Sequence, residues 1–249
     1  MIQGHLVFGR PRPLRSIVEG PHASRYVREE LALRVAKGVQ LRGWASRPVG
    51  AGLRSALVYF GGRNENVAWA PGISTYLEST AVYCFAYRGR SGSGGWAGER
   101  QVVADAYAIH AFVREREATL LRSLAIMGRS LGTGVAISLA AKVQPQRLVL
   151  VSPFDSLSRV ISRTALLRPF VPFLRHRFDC EAIAPQIHCP ALILLAESDD
   201  EIPHDHSVRL VRELRGPVQV QTLSATTHRS VVRSTAALRQ VAAFLKEDR

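Results

Sequence analysis

Short apolar runs alternate with amphipathic stretches along most of the 249-residue chain. From Ser55 onward the runs are almost continuously apolar, as expected for parallel strands that helices cover on both faces. The predicted strands are Glu30–Val35, Val39–Ala45, Ser55–Phe60, Ala81–Tyr87, Ser123–Met127, Arg147–Val151, Ala191–Ala196 and Val218–Thr222. The predicted helices are Asn66–Thr80, Arg100–Arg116, Leu131–Lys142, Asp205–Leu214 and Arg229–Lys246. The alternation predicts a doubly wound α/β sheet whose first two strands form an antiparallel edge.

Two segments depart from this alternation. Residues 1–28 carry five arginines against one glutamate and three helix-breaking prolines, which indicates a basic N-terminal arm. We expect residues 29–249 to form one domain, because that length suits a single large α/β unit. Within it, Ser162–Ile183 is apolar and interrupted by prolines, so we expect a small, partly helical cap at about residues 162–183.

The composition limits the classes of partner. The formal net charge is +13, but only three of the 33 basic residues are lysines, and the arginines are scattered without forming blocks. Arginine-favouring codon usage explains this as well as a polyanion does, so no nucleic acid partner is expected, although contact with an anionic membrane surface stays open. Three cysteines without C-x-x-C spacing and no apolar run near ~18 residues favour a cytoplasmic protein without a structural metal.

A candidate nucleophile follows the fifth predicted strand. That strand runs into Gly128-Arg129-Ser130-Leu131-Gly132 and then a helix, which is the G-x-S-x-G pattern in its strand–turn–helix setting. Such a turn projects the serine hydroxyl above the sheet, while the small flanking glycines allow strand and helix to approach closely. An ordinary tight turn is the alternative interpretation.

A serine hydroxyl needs a general base and an anion to orient that base. His228 lies just after the last predicted strand, and four acids follow the preceding one: Glu197, Asp199, Asp200 and Glu201. The carboxyl ends of parallel strands meet at one edge of a sheet, so these side chains are expected to converge. The order serine, acid, histidine is the order of α/β-hydrolases.

Two other kinds of site are disfavoured. Gly92–Ala97 fits G-x-G-x-x-A, but no acidic residue ends a strand about 20 residues later, as a dinucleotide site requires. His204, Asp205 and His206 could suggest a metal, yet histidines two apart at a loop–helix junction point apart and no third ligand is specified. We therefore expect neither a cofactor nor a metal.

The chain from about Arg28 onward resembles the α/β-hydrolase superfamily, in particular its compact, nearly lidless serine aminopeptidase-like and esterase-like members. Four segments carry the resemblance: Tyr59–Asn66, Ala86–Gly89, Val151–Phe154 and Asp199–Ser207. It implies the α/β-hydrolase fold, with a mostly parallel eight-stranded sheet, helices on both faces and a minimal cap. It also implies Asp199 as the triad acid, with Asp200 still open, and an oxyanion hole from the amides of Arg63 and Leu131.

The resulting hypothesis is a serine hydrolase that cleaves a small carboxylic ester or thioester through an acyl-enzyme on Ser130, with short peptides and amides second. The alternative is a non-catalytic scaffold that binds a ligand, a partner protein or an anionic membrane. Arg63 stands where the family often has a small polar residue, and its charge suggests anionic or carboxylate-bearing substrates, unless the side chain only faces solvent. The oligomeric state is not predicted.

Overall fold

The fold is built on one eight-stranded sheet. The computed structural model describes residues 7–9, 20–50, 53–118, 123–163 and 168–246. Within these ranges the strands are β1 (Tyr26–Ala36), β2 (Val39–Pro48), β3 (Ser55–Phe60), β4 (Thr80–Phe85), β5 (Ser123–Arg129), β6 (Arg147–Val151), β7 (Ala191–Ser198) and β8 (Val218–Thr227). All eight correspond to predicted strands, although β1 begins before Glu30 and β8 continues past Thr222.

The strand order is β1-β2-β4-β3-β5-β6-β7-β8. β1 pairs with β2 and β2 with β4 in antiparallel fashion, while the pairings from β4 through β8 are parallel. The predicted antiparallel edge is therefore confirmed. Because β3 and β5 to β8 all point the same way, their carboxyl ends bring the loops after Phe60, Arg129, Val151, Ser198 and Thr227 to one side of the molecule.

Helices cover both faces of the sheet, as the continuous apolar strands require. The α-helices are α1 (Glu99–Arg116), α2 (Leu131–Val143), α3 (Leu157–Ser162), α4 (Cys180–Ile183), α5 (His204–Glu213) and α6 (Thr235–Lys246). One apolar cluster joins the sheet to α1, α2 and α5, and includes Val102, Val135 and Leu210. A second, on the opposite face, includes Trp69 and Leu238 of α6.

Two predicted helices differ in the structure. The stretch Asn66–Thr80 holds a 3-10 segment, Val67–Tyr76, in place of an α-helix. Pro71 inside it has no backbone N–H to donate and its ring clashes with the preceding turn, so an α-helix cannot run through it. The predicted last helix also begins later, because Val231–Arg233 is a 3-10 turn and α6 starts only at Thr235.

The predicted cap and arm are described in part. Between residues 162 and 183 lie the end of α3, a 3-10 segment at Arg168–Phe173, and α4, while residues 164–167 fall outside the described part. Of residues 1–28, Val7 and Phe8 are buried, and the Phe8 ring contacts the rings of Tyr87 and Phe178 at centroid distances of 5.7 and 6.4 Å. No helix within the described residues is long and apolar enough to cross a bilayer.

Candidate active site

Ser130 lies on a sharp turn between β5 and α2. Its backbone has φ 51° and ψ −122°, a conformation that side chains rarely adopt. The turn is packed so tightly that a Cβ on Gly132 would lie 2.1 Å from the carbonyl oxygen of Phe60, and one on Gly128 would lie 2.5 Å from the Gly132 oxygen. Both glycines of the motif are thus required sterically, and the turn aims the Ser130 side chain away from the sheet.

The three side chains proposed from the sequence meet at the carboxyl edge of the sheet. Ser130 Oγ lies 2.9 Å from His228 Nε2, and His228 Nδ1 lies 2.9 Å from each carboxylate oxygen of Asp199. An ionised carboxylate only accepts hydrogen bonds, so Nδ1–H donates to Asp199, which leaves Nε2 free to accept the serine proton. The result is one hydrogen-bonded chain from hydroxyl to carboxylate, spanning 98 residues of sequence from Ser130 to His228.

The structure distinguishes Asp199 from its neighbour. The Asp199 side chain is 2% exposed and also accepts from the backbone N–H of Ile202 at 2.7 Å, whereas Asp200 is exposed. Burial by itself raises the pKa of the Asp199 carboxyl, but the hydrogen bonds from His228 and Ile202 outweigh it and hold that pKa below its usual value. Asp199 therefore stays ionised beside the imidazole.

The two predicted amide donors come from different elements: Leu131 follows Ser130 in the chain, and Arg63 lines the same cavity as Ser130. Leu131 is the first residue of α2, so its N–H has no acceptor within the helix. Arg63 follows Gly61 and Gly62 in a turn after β3, and that turn is closed by the Gly62 N–H, which donates to the Glu65 carboxylate at 2.6 Å. Backbone amides placed in this way are suited to stabilise a developing oxyanion.

Two buried charged residues, Glu65 and Arg129, hold this region together, and the sequence analysis predicted no role for either. Besides the Gly62 amide, Glu65 accepts from Tyr59 Oη and Trp69 Nε1, each at 2.7 Å. Arg129 lies 3.5 Å from Glu65 and donates through Nη2 to the backbone carbonyl of His228 at 2.6 Å. The turn after β3 and the loop of His228 are thus joined through Arg129. The only available signal was position: Arg129 precedes the serine in the motif.

The groups of the disfavoured metal site point to separate partners. His204 Nε2 contacts the carbonyl of Ala196 at 2.7 Å, His206 Nδ1 contacts Asp155 at 2.6 Å, and Asp205 pairs with Arg209 at 3.0 Å. Within the described residues, no group of three His, Cys, Asp or Glu side chains is placed to hold a metal ion.

Comparison with solved structures shows which fold this is. An esterase from Pyrococcus furiosus superposes with a TM-score of 0.70 over 96% of this chain and 98% of its own, at 15% identity. An acetyl xylan esterase from Paenibacillus sp. R4 gives 0.71 over 98% and 91%, at 19% identity. The profile of the family described as serine aminopeptidase, S33, matches residues 52–175. The chain belongs to the α/β-hydrolase superfamily.

Sequence similarity to known proteins covers more of the chain than the family profile does. An uncharacterized protein of Mycobacterium tuberculosis is 29% identical over 205 residues, which cover 80% of this α/β-hydrolase and 72% of that protein. A lysophosphatidylserine lipase of Danio rerio is 32% identical over 144 residues, 49% of this chain and 36% of its own. The predicted superfamily and fold class are thus confirmed.

Proposed function

We propose that this α/β-hydrolase is a serine hydrolase that cleaves carboxylic esters or thioesters through an acyl-enzyme on Ser130. The observation that supports this most directly is the unbroken hydrogen-bonded chain from Ser130 Oγ through His228 to Asp199. A relative that hydrolyses a lysophospholipid and structural neighbours named esterases favour ester substrates. Short peptides and amides rank second, because their leaving groups demand more of the general acid.

The proposed reaction has two halves. Ser130 Oγ attacks the substrate carbonyl carbon while His228 Nε2 takes the hydroxyl proton, and the tetrahedral oxyanion is held by the N–H groups of Arg63 and Leu131. The bond to the leaving oxygen or sulfur then breaks as His228 returns the proton to it. Water, deprotonated by His228, attacks the acyl-enzyme, and collapse of the second intermediate releases the acid and restores Ser130. Asp199 keeps the imidazole in the required tautomer throughout.

The nucleophile is tested by labelling with a fluorophosphonate probe and mapping the modified peptide. We expect modification at Ser130 and complete loss of labelling in Ser130→Ala. Ser24→Ala, which changes an exposed serine in the 3-10 turn Ala23–Arg25, is the control and should retain labelling. Labelling of Ser130→Ala at an undiminished rate would refute the assignment. A protein that never reacts would instead favour the scaffold hypothesis.

The acid is tested by a matched pair of neighbours. Asp199→Asn should lower kcat for p-nitrophenyl acetate by roughly 10⁴-fold, because the amide no longer selects the Nδ1–H tautomer of His228. Asp200→Asn should change kcat by less than about twofold, since an exposed side chain outside the hydrogen-bonded chain contributes little. The reverse order of effects would move the role to Asp200.

A further inference from the structure

An arginine-lined cavity adjoins Ser130 on the side of His228. It has a volume of about 750 Å³ and is bounded by the turn after β3 and by the residues on both sides of His228. The charged side chains in its wall are Arg63, Glu65, Arg129, Glu201, Arg229 and Arg233. Four cations therefore face two anions in a space next to the proposed nucleophile.

The two glutamates are already bound to two of the arginines. Arg229 Nε donates to Glu201 at 3.1 Å, and Arg129 lies 3.5 Å from Glu65. The Glu65 carboxylate also accepts hydrogen bonds from the Tyr59 hydroxyl, the Gly62 amide and the Trp69 indole. In the part of the chain that the structure describes, Arg63 and Arg233 have no carboxylate within ion-pair distance. The cavity thus keeps an uncompensated positive charge.

Two of these guanidinium groups are held in place before any ligand arrives. Arg233 lies over the Trp69 ring, 4.6 Å from its centroid, which fixes its planar head by a cation–π contact. The Arg129 side chain is only 10% exposed, and its Nε is buried without a hydrogen-bond partner among the described residues. Its Nη2 donates to the backbone carbonyl of His228 at 2.6 Å, which fixes the guanidinium group beside the cavity.

The last helix adds to the same potential. Ser234 lines the cavity, and its Oγ accepts from the N–H of Ala237 as the cap of α6. The positive end of this 12-residue helix therefore begins at the cavity wall. The arginines and the helix end act on an entering anion with the same sign.

The position of the cavity indicates which half of the substrate it receives. In the proposed reaction His228 Nε2 protonates the leaving oxygen, so the leaving group must lie on the imidazole side of Ser130. Eight of the fifteen residues that line the cavity flank His228 on both sides, at positions 225–227, 229, 230 and 232–234. Its occupant is therefore the departing alcohol or thiol.

We propose that the arginine-lined cavity binds a negatively charged leaving group, an alcohol or thiol that carries a carboxylate or a phosphate. This inference rests on the proposed function and names the substrate class of the same site. Guanidinium groups bind both anions by charge-assisted, often bidentate hydrogen bonds. Carboxylate and phosphate are therefore compared directly in the test.

The test uses three acetate esters that share one reacting bond: 3-acetoxybenzoate, 3-acetoxyphenyl phosphate and the neutral 3-acetoxybenzamide. Values of kcat/KM, divided by the rate of hydroxide hydrolysis of each ester, should favour at least one anion over the amide by about tenfold. Whichever anion is preferred identifies the source of the charge. Arg233→Gln should lower the anion-to-neutral ratio about fivefold, while Arg239→Gln, on the exposed side of α6, should leave the ratio unchanged.

Failure of this inference is distinguishable from failure of the proposed function. Hydrolysis of all three esters with a ratio near one, unaltered by Arg233→Gln, would overturn the anion site while leaving Ser130 as nucleophile. Protection gives a second measurement: 3-hydroxybenzoate or 3-hydroxyphenyl phosphate should slow fluorophosphonate labelling of Ser130 more than 3-hydroxybenzamide does. If Ser130 never reacts, the proposed function fails. Calorimetric binding of the same three phenols then tests the anion site by itself: tighter binding of an anionic phenol than of the amide supports the site, and equal affinities overturn it.

Discussion

Two buried Asp–His pairs lie after neighbouring strands of this sheet, and within the described residues only one of them is hydrogen-bonded to a serine hydroxyl. His228 and Asp199, after β8 and β7, are 2.9 Å apart with side chains 1% and 2% exposed. His206 and Asp155, the latter after β6, are 2.6 Å apart and equally buried. Residue types, separation and burial are therefore nearly the same, and none of these explains the difference.

The neighbours of each pair explain it. Asp155 also binds Arg159 at 2.9 Å and Arg209 at 2.5 Å, and these hydrogen bonds outweigh burial and lower its pKa to about 2. His206 Nε2 is buried and has no hydrogen-bond partner in the described part of the chain, whereas His228 Nε2 lies 2.9 Å from Ser130 Oγ. The Asp155 carboxylate is shared with two cations, which suits a structural anchor. The His228 imidazole is hydrogen-bonded to a serine hydroxyl, which suits the general base of the proposed reaction.

Substituting the two histidines should separate these roles most strongly. His228→Ala should lower kcat for p-nitrophenyl acetate by roughly 10⁴-fold or more, because the serine loses its proton acceptor. In His206→Ala or His206→Gln, whichever folds by circular dichroism, kcat should stay within about threefold of the parent protein. A comparable loss in a folded His206 variant would make both pairs catalytic.

Removing the second carboxylate should cost stability and spare the chemistry. Asp155→Asn leaves His206 and two arginines without their shared anion, so the free energy of unfolding should fall by about 2 kcal/mol in urea titrations. Arg163→Gln, which removes an exposed ion pair with Asp205, is the control and should change it by less than about 0.5 kcal/mol. Equal effects would show that Asp155 anchors nothing.

Weakening the contacts of Glu65, which support the region around His228 and Asp199, should have a smaller effect, on kcat. Glu65→Gln weakens the hold on the Gly62 amide and on Arg129, so kcat should fall about tenfold with little change in KM. Glu117→Gln is a matched control, because Glu117 is likewise buried and bound to Arg47 and Tyr83, but it lies away from the site. It should lower the melting temperature without lowering kcat. A drop in kcat for both variants would attribute the Glu65 effect to general loosening.

Acid titration should show the smallest difference. The pKa of Asp155 is lowered from 3.8 to about 2, so its stabilising contribution is complete above about pH 4 and is lost as the pH falls toward 2. Asp155→Asn should therefore lose less stability than the parent protein between pH 4 and pH 2, measured by urea midpoints. Parallel curves for the two proteins would contradict the assigned shift.

Local patterns were sufficient for the sheet and for the proposed chemistry. Apolar run length identifies buried strands, and the motif Gly128–Gly132 is read directly from the sequence, although the contact that requires Gly132 comes from the distant Phe60. The helix predicted across Pro71 was wrong, because side-chain hydrophobicity does not report a missing N–H inside a turn. The first strand begins earlier than predicted, at Tyr26, whose hydroxyl donates to the carbonyl of Leu77 at 2.7 Å.

Contacts between distant charges were beyond prediction. Arg129 reaches the carbonyl of His228 across 99 residues, and Asp155 reaches His206 across 51. One sequence shows that these groups exist but not which of them face each other. The same limitation left Asp199 and Asp200 as alternatives, because only the turn geometry after β7 determines which carboxylate is buried.

The backbone of Ser130 has a consequence for thermal stability. A side chain held at φ 51° costs on the order of 1–3 kcal/mol, and glycine adopts such angles without that penalty. Ser130→Gly should consequently unfold at a higher temperature than the parent protein, so selection for heat resistance alone would act against the proposed nucleophile.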